Sequence, residues 1–393
     1  KQALRERLDG LNDELDRYLA QEYGVDADLP MDFHLWRESH QPFHWFVEFY
    51  GILKQGGFDV IIGNPPYVEY RKVKTTYQLP PNLYYSEKTR NLYAFCMERS
   101  RFLLQSLGKF GMIVPTGLLG LDQSLSLRER LFERYSWNLC STYAIRPSKL
   151  FNGVDQRLCI YLANDQQVAY SDVQIYTTQY QRWYKEERST LFSTLKFHDS
   201  FHHHRLERIP QIGCTKSASI IAKIEKQSKR TIASYLSTKR IGHLLHYHRS
   251  PRYWIRAIDF EQYFKSSTRT RSVHHFRDIY FQDREAGKIT GAILNSSLFY
   301  FWFVSVGNGR NITGVDIEKF PVGELASGIL SQIPRIFDSL MTDYRDNSFI
   351  RVRQDCEFQE FNQSKSKSII DEIDRVLAQH YGFTDEELDF IIN

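Results

Sequence analysis

The sequence predicts an α/β fold, followed by an α+β region and a helical carboxy-terminal segment. Three observations predict it. Strand-like apolar runs alternate with amphipathic helical runs between residues 58 and 162, and that alternation marks helices crossing over one sheet. Residues 196–275 hold sixteen Lys and Arg against five Asp and Glu, in a chain whose formal net charge is only +4. Apolar residues return at helical spacing beyond residue 326.

Each element has its own signal. Leu4, Leu8, Leu11, Leu15 and Leu19 recur every three or four residues with charges between them, which predicts an amphipathic helix over residues 1–23. The chain begins with Lys1 rather than Met, so it is read as part of a longer polypeptide. An aromatic run, Phe43–Phe49, stops at Gly56-Gly57. Phe58-Asp59-Val60-Ile61-Ile62-Gly63 is short, β-branched and closed by glycine, the pattern of a buried parallel strand. Residues 92–107 read as a helix, Gly111–Pro115 as a strand, Leu125–Tyr135 as a helix, and Leu139–Ile145 and Arg157–Leu162 as two more strands. A polar, Tyr-rich stretch at 165–195 predicts a boundary. Ile293–Val304 is the most apolar run and predicts one core helix. Ile369, Ile370, Ile373 and Val376 form a stripe, and Thr384-Asp385-Glu386-Glu387 predicts a capped helix start. The expected organisation is a helical lead-in at 1–40, an α/β domain at 41–165, a basic α+β domain at 166–325 and a helical segment at 326–393.

Composition excludes some classes. Hydrophobic residues make up 42% of the chain and charged residues 25%, as in ordinary globular domains. No run of about 18 apolar residues is present, and no signal-peptide pattern either, so a cytoplasmic location is expected. The five cysteines are scattered without CxxC spacing and are expected to be reduced core thiols. His202-His203-His204 cannot all face one ion from a regular element, so a solvated basic loop is expected and no metal site. The uneven basic block is a nucleic-acid signal. Arg249 and Arg252 in the aromatic stretch Tyr247–Trp254, together with Arg269, Arg271, Arg277 and Arg310, are candidate DNA contacts.

The chemistry sits at Asn64-Pro65-Pro66-Tyr67. The carboxyl end of a strand in an α/β sheet is where ligands bind. Two prolines fix the backbone and remove two N–H donors, leaving carbonyls free to accept. Asn64 adds a side-chain acceptor and Tyr67 a flat aromatic face. Two acceptors beside a stacking platform suit an exocyclic amine on an aromatic ring. Such an amine is a weak nucleophile because its lone pair is delocalised. Gripping its hydrogens pulls the nitrogen toward tetrahedral geometry, after which the reaction needs mainly positioning. A base inside a duplex must first be flipped out, and stacking offsets part of that cost. The four residues alone could be a rigid loop; the strand before them favours the chemical reading.

Phe58–Val68 resembles motif IV of the methyltransferases that act on DNA adenine N6. Asn91-Leu92-Tyr93-Ala94-Phe95 resembles their next motif, and Leu107–Pro115 the following helix–turn–strand. Lys149–Val154 resembles the loop that places a second aromatic, here Phe151, against the flipped base. Gly307–Thr313 with Phe320-Pro321 resembles the target-recognition region of type IIG, Eco57I-like restriction–modification enzymes. Ile369–Asp374 and Tyr381–Thr384 resemble their carboxy-terminal end. The resemblance implies the second half of a Rossmann-like methyltransferase sheet, an α+β target-recognition domain and a helical tail. It implies that Asn64 and the Pro65 carbonyl grip N6, that Pro66 stiffens the turn, and that Tyr67 and Phe151 sandwich the adenine. It implies S-adenosylmethionine as cofactor, approached by Asn64 and Asn91, and double-stranded DNA as partner. The family's glycine-rich cofactor loop lies before motif IV. The residues ahead of Phe58 contain no Gly-x-Gly turn. A missing amino-terminal methylase or nuclease part of the same polypeptide is therefore expected, and no turnover by this chain alone. The other classes compatible with the tetrapeptide and the basic block are a methyltransferase for RNA or protein glutamine, and a DNA-specificity module without catalysis.

Overall fold

The computed structural model describes residues 2–73, 79, 82–164, 173–200, 207–251, 254–268 and 276–393. They form two compact units, both discontinuous in sequence. The first comprises Lys1–Val114, Glu129–Asn138 and Leu162–Val173; the second comprises Pro115–Arg128, Leu139–Tyr161 and Gln174–Asn393.

In the first unit, α1 (Gln2–Glu22) and α2 (Pro30–His40) enclose a small core of Ala20, Ala27, Phe33 and Trp36. Beside it the buried Asp16 carboxylate accepts from Arg37 Nε at 2.8 Å and faces His44 Nε2 at 2.7 Å. Only part of the predicted leucine stripe is used, for Leu4, Leu8 and Leu11 are exposed. The short helices α3 (Trp45–Glu48) and α4 (Tyr50–Lys54) follow. Here Trp45 and Phe49 meet Phe58 edge-to-face. Gly57 has φ +120, and a Cβ there would lie 2.4 Å from the Leu103 carbonyl oxygen, so only glycine admits this close approach.

Strand β1 (Phe58–Gly63) pairs in parallel with β2 (Leu104–Pro115), with Ile61 opposite Phe110 and Ile62 opposite Gly111. Helix α5 (Leu92–Leu103) lies between them in the chain. It ends four residues before the predicted 107, because Leu104 turns extended and pairs with Phe58. The register then slips, and Leu107 takes φ +64. One expectation is corrected here: β1 is not buried. Val60 is 52% exposed and Ile62 78%. β1 stands at one end of its strand order, so its apolar side chains lack the cover that a central parallel strand receives.

The second unit contains α6 (Gly117–Gly120) and receives the start of α7 (Leu125–Arg134). Its sheet has the order β4-β3-β5-β6, from β3 (Trp137–Tyr143), β4 (Leu158–Asn164), β5 (Gln174–Thr178) and β6 (Phe197–Asp199). The parallel β1–β2 pair and the antiparallel β5–β6 pair make the class mixed α/β.

Helix α8 (Thr215–Glu225) leads into β7 (His243–His248), β8 (Ala257–Ile258), β9 (Phe264–Ser266) and β10 (Phe276–Phe281). Then come α9 (Arg284–Asn295), α10 (Ser297–Val306), α11 (Gly314–Glu318) and α12 (Ser327–Asp346). β11 (Ser348–Arg353), β12 (Cys356–Phe361), α13 (Gln363–Tyr381) and α14 (Asp385–Ile392) complete it. Two small sheets have the orders β10-β7-β8 and β11-β12-β9. One apolar core runs from Ile220 to Ile391 and draws on α8, α9, α10, α12, α13 and α14.

Two readings of this region change. The single helix predicted at Ile293–Val304 is two helices, α9 and α10, bent by 68°. Ser296 makes the break: its Oγ donates to Ile293 O at 2.6 Å and accepts from Phe299 N at 3.0 Å. The Asp374 carboxylate from α13 accepts from Ser297 N and Leu298 N, both at 3.1 Å. The predicted helical end also contains the β11–β12 hairpin, whose aromatic and β-branched residues Phe349, Ile350, Val352, Phe358 and Phe361 favour strand. The capped start at Thr384 is present, for Thr384 Oγ1 accepts from Glu387 N at 3.2 Å and Glu387 Oε2 from Thr384 N at 2.8 Å. Among the described residues no single helix is long and apolar enough to cross a membrane.

Candidate active site

Asn64-Pro65-Pro66-Tyr67 follows β1 directly, at its carboxyl end. Asn64 and Pro66 are exposed, Pro65 is buried and Tyr67 is half-buried. Tyr67 Oη lies 2.6 Å from the Ile113 carbonyl and 2.5 Å from Asn64 Oδ1. A phenol has one proton, so it donates to one of these at a time. With the Asn64 amide turned over, its Nδ2 donates to Tyr67 Oη, Tyr67 donates to Ile113, and Oδ1 faces outward as an acceptor. In that arrangement Tyr67 both ties the turn to β2 and fixes the asparagine. Among the described residues none donates to the Pro65 carbonyl.

The chain leaving the turn is pinned to the motif at Asn91. Leu92 N donates to Val68 O at 3.0 Å and Tyr70 N to Arg90 O at 2.9 Å. Asn91 caps α5, its side chain accepting from Tyr93 N at 3.4 Å. Phe95 is buried between Tyr84, stacked at 4.9 Å, and Tyr70, edge-on at 5.6 Å. The first unit therefore brings Asn64, Pro65, Pro66, Tyr67 and Asn91 together. Sequence reasoning missed Glu98, a buried carboxylate that accepts from Tyr85 N at 3.0 Å and Ser86 N at 2.9 Å and so shapes the loop before α5. A lone glutamate on a helix gives no signal of that role.

Phe151 belongs to the second unit and is half-buried in its loop. The loop is held by Arg188 Nη1 on Leu150 O at 2.9 Å, Ser148 N on Trp183 O at 3.1 Å, and a Lys149–Asp155 ion pair at 2.7 Å. Lys149 foremost, with Arg310 and Arg146, holds the Asp155 carboxyl below its ordinary range.

The Gly307–Asn311 segment is a tight loop in the same unit. Asn308 Oδ1 accepts from Arg310 N at 2.7 Å and Asn311 N at 3.1 Å, while Ser250 Oγ donates to Asn311 Oδ1 at 2.6 Å. Ile312 N donates to Arg249 O at 2.8 Å. The structure thus brings Arg249 and Arg310 to one place. It adds Arg146, Arg157 and Arg182 around the same cavity, which sequence reasoning did not assign. The only hint was an arginine at the head of the predicted Arg157–Leu162 strand. Arg277 lies on β10, opposite Tyr247. Arg252, Arg269, Arg271 and His202–His204 lie outside the described residues. Among the described residues no three or more His, Cys, Asp or Glu could hold a metal ion.

The family model of the Eco57I restriction-modification methylases matches residues 10–149. Over that stretch the expected resemblance to restriction–modification methylases is borne out. A candidate type II restriction enzyme and methyltransferase of Methanocaldococcus jannaschii is 31% identical over 131 residues, 32% of this chain and 10% of that protein. The chain thus spans about a tenth of the length of that curated relative. Among solved structures, the type IIL restriction-modification enzyme MmeI in complex with DNA is similar with a TM-score of 0.43 and 10% identity, over 89% of this chain and 57% of that one. The type IIG restriction endonuclease BpuSI has a TM-score of 0.30 and 9% identity, over 85% and 54%.

Proposed function

We propose, from the methylase match over residues 10–149, that this chain supplies the base-gripping part of a site-specific DNA adenine-N6 methyltransferase of a restriction–modification or phage-defence system. The observation that carries the reading is the position of Asn64–Tyr67 at the carboxyl end of a parallel strand, with Tyr67 Oη fastened 2.6 Å from Ile113 O. The Asn64 amide oxygen and the Pro65 carbonyl accept from the two N6 hydrogens and localise the nitrogen lone pair. Tyr67 stacks on the extruded base, and Phe151 is the residue proposed for its other face. The proton leaves after attack, so no charged base is required beside N6.

S-adenosylmethionine, when bound, supplies the electrophilic methyl group. Asn64 and Asn91 are the residues proposed to face it. The described residues ahead of β1 fold as helices α1 to α4, with no strand running into a glycine-rich turn. The reading is that an amino-terminal part of the same polypeptide provides the glycine-rich seat of the donor. The same observation favours a second reading for the isolated chain, a DNA-binding specificity module without turnover.

The test is Asn64→Ala in the complete polypeptide, with methyl incorporation measured into duplex DNA, RNA and protein. Incorporation is expected into DNA adenine only. The variant should lose on the order of 10²–10³-fold or more in rate, the scale for removing one preorganised polar contact, with DNA affinity nearly unchanged. Undiminished activity would reduce the tetrapeptide to a structural turn. Incorporation into RNA or protein alone would refute the substrate.

A further inference from the structure

We propose that the second unit contains a built phosphate-binding pocket centred on Arg157, and that its occupant is a phosphodiester group of a DNA strand. The cavity measures about 400 Å³, and Arg146, Arg157, Arg182, Arg249 and Arg310 all line it, with Tyr180, while none of the described aspartates or glutamates does. Asp155, an acid that feels Arg310 and Arg146, is exposed and already paired with Lys149 at 2.7 Å.

Arg157 points to a ligand rather than to a merely basic surface. It is only 9% exposed, yet among the described residues its Nε and Nη1 have no hydrogen-bond partner. A buried guanidinium without an acceptor is costly. Its neighbour Tyr180 offers only a ring face, 4.7 Å away, which accepts no N–H in the guanidinium plane. An anion in the cavity supplies the missing acceptors.

The surrounding backbone is shaped around this side chain. Gly309 has φ +64, and a Cβ there would lie 2.1 Å from Arg157 Nη1. The glycine is therefore favoured by its own conformation, and the space its missing Cβ leaves is taken by the end of Arg157. Thr116 holds both walls, its N donating to Arg157 O at 3.0 Å and its Oγ1 to Asn308 O at 3.2 Å. Loop and arginine are thus positioned together before any ligand arrives, which reduces the ordering cost of binding.

A phosphate fits better than a carboxylate. One guanidinium can satisfy both oxygens of a carboxylate, whereas a tetrahedral phosphate can present oxygens to several arginines. Arg146, Arg182 and Arg310 are exposed at the rim, where they meet a strand passing over the surface. The choice of DNA over free phosphate rests on the DNA reading above, and the experiment separates the two.

The 393-residue chain is titrated against labelled duplex DNA by fluorescence anisotropy across a salt series. Arg157→Gln and Arg310→Ala are compared with wild type. Each is expected to weaken binding on the order of ten-fold at low salt and to reduce the slope of log affinity against log salt by about 0.9, one phosphate. Thermal melting checks that Arg157→Gln is folded; if it is not, the exposed Arg310→Ala decides alone. Titration with pyrophosphate is the second arm. Variants with wild-type slope and affinity overturn the pocket and leave the DNA reading standing. Saturable pyrophosphate binding that needs Arg157, with DNA binding unchanged in the variant, overturns the DNA strand as occupant. Absence of DNA binding by wild type overturns the DNA reading and the occupant with it.

Discussion

The turn at Asn64–Tyr67 and the loop at Gly307–Asn311 are both rigid, for opposite reasons. The turn is rigid by covalent chemistry: two adjacent prolines set its backbone, and one tyrosine hydroxyl fastens it. It follows a strand that ends its sheet's order among the described residues, and the residues around it are largely exposed. The loop has no proline. It is rigid because backbone meets backbone, for a Cβ on Gly120 would lie 2.3 Å from the Gly307 carbonyl carbon. Arg128, fully buried, donates to the carbonyls of Leu118 and Leu121 at 2.7 and 3.0 Å and also to that of Glu207. Arg208 bridges Asp122 at 2.8 Å and Asp316 at 2.7 Å. A turn made stiff by its own residues can be read in four letters. A loop made stiff by its neighbours cannot.

The contrast can be broken by mutation. The largest effect on stability is expected at Arg128→Met, which removes a buried donor set from the carbonyls of Leu118, Leu121 and Glu207, of which Leu121 keeps a donor in Ser124 N. The cost should be about 3–5 kcal/mol in urea unfolding. A loss below about 1 kcal/mol would mean that the Gly120–Gly307 contact does not depend on this frame.

A smaller effect is expected at Asp374, where α13 caps α10. Burial pushes this carboxyl up from 3.8 to about 6, against the opposing hydrogen bonds from Leu298 and Ser297. The folded state therefore holds the proton more tightly than the unfolded chain does. The contribution is fully present below the unfolded pKa and is lost as pH climbs through about 6. Unfolding free energy should drop by about 2–3 kcal/mol across that window. Asp374→Asn should flatten the profile there. An unaltered profile would assign the pH dependence elsewhere.

The smallest effect is expected at Ile62→Thr. Its side chain is 78% exposed, so stability should change by no more than about 0.5 kcal/mol. A larger loss in equilibrium unfolding would show that the open edge of β1 is covered in solution, and the two regions would then differ less than their surroundings indicate.

The same contrast explains what was legible. β1, α5 and the tetrapeptide are each written in consecutive residues, so periodicity and turn chemistry found them. The exposure of β1 was not legible, because an apolar strand reads alike whether one edge or both are paired. The break between α9 and α10 was hidden because one capping group is Asp374, 77 residues downstream of Ser297. The arginine cavity was half visible. Arg249 and Arg310 stood out in basic or motif-like segments, whereas Arg146, Arg157 and Arg182 arrive from other loops and strands and share no local pattern.

The reach of α13 into the α9–α10 corner has a consequence for how the polypeptide is made. Ile370, Ile373 and Leu377 enter the same core as Ile220, Ile293 and Phe337. During translation the earlier residues must wait, with that apolar surface uncovered, until α13 has emerged. The second unit closes late, and the interval before closure is when it most needs shelter from other nascent chains.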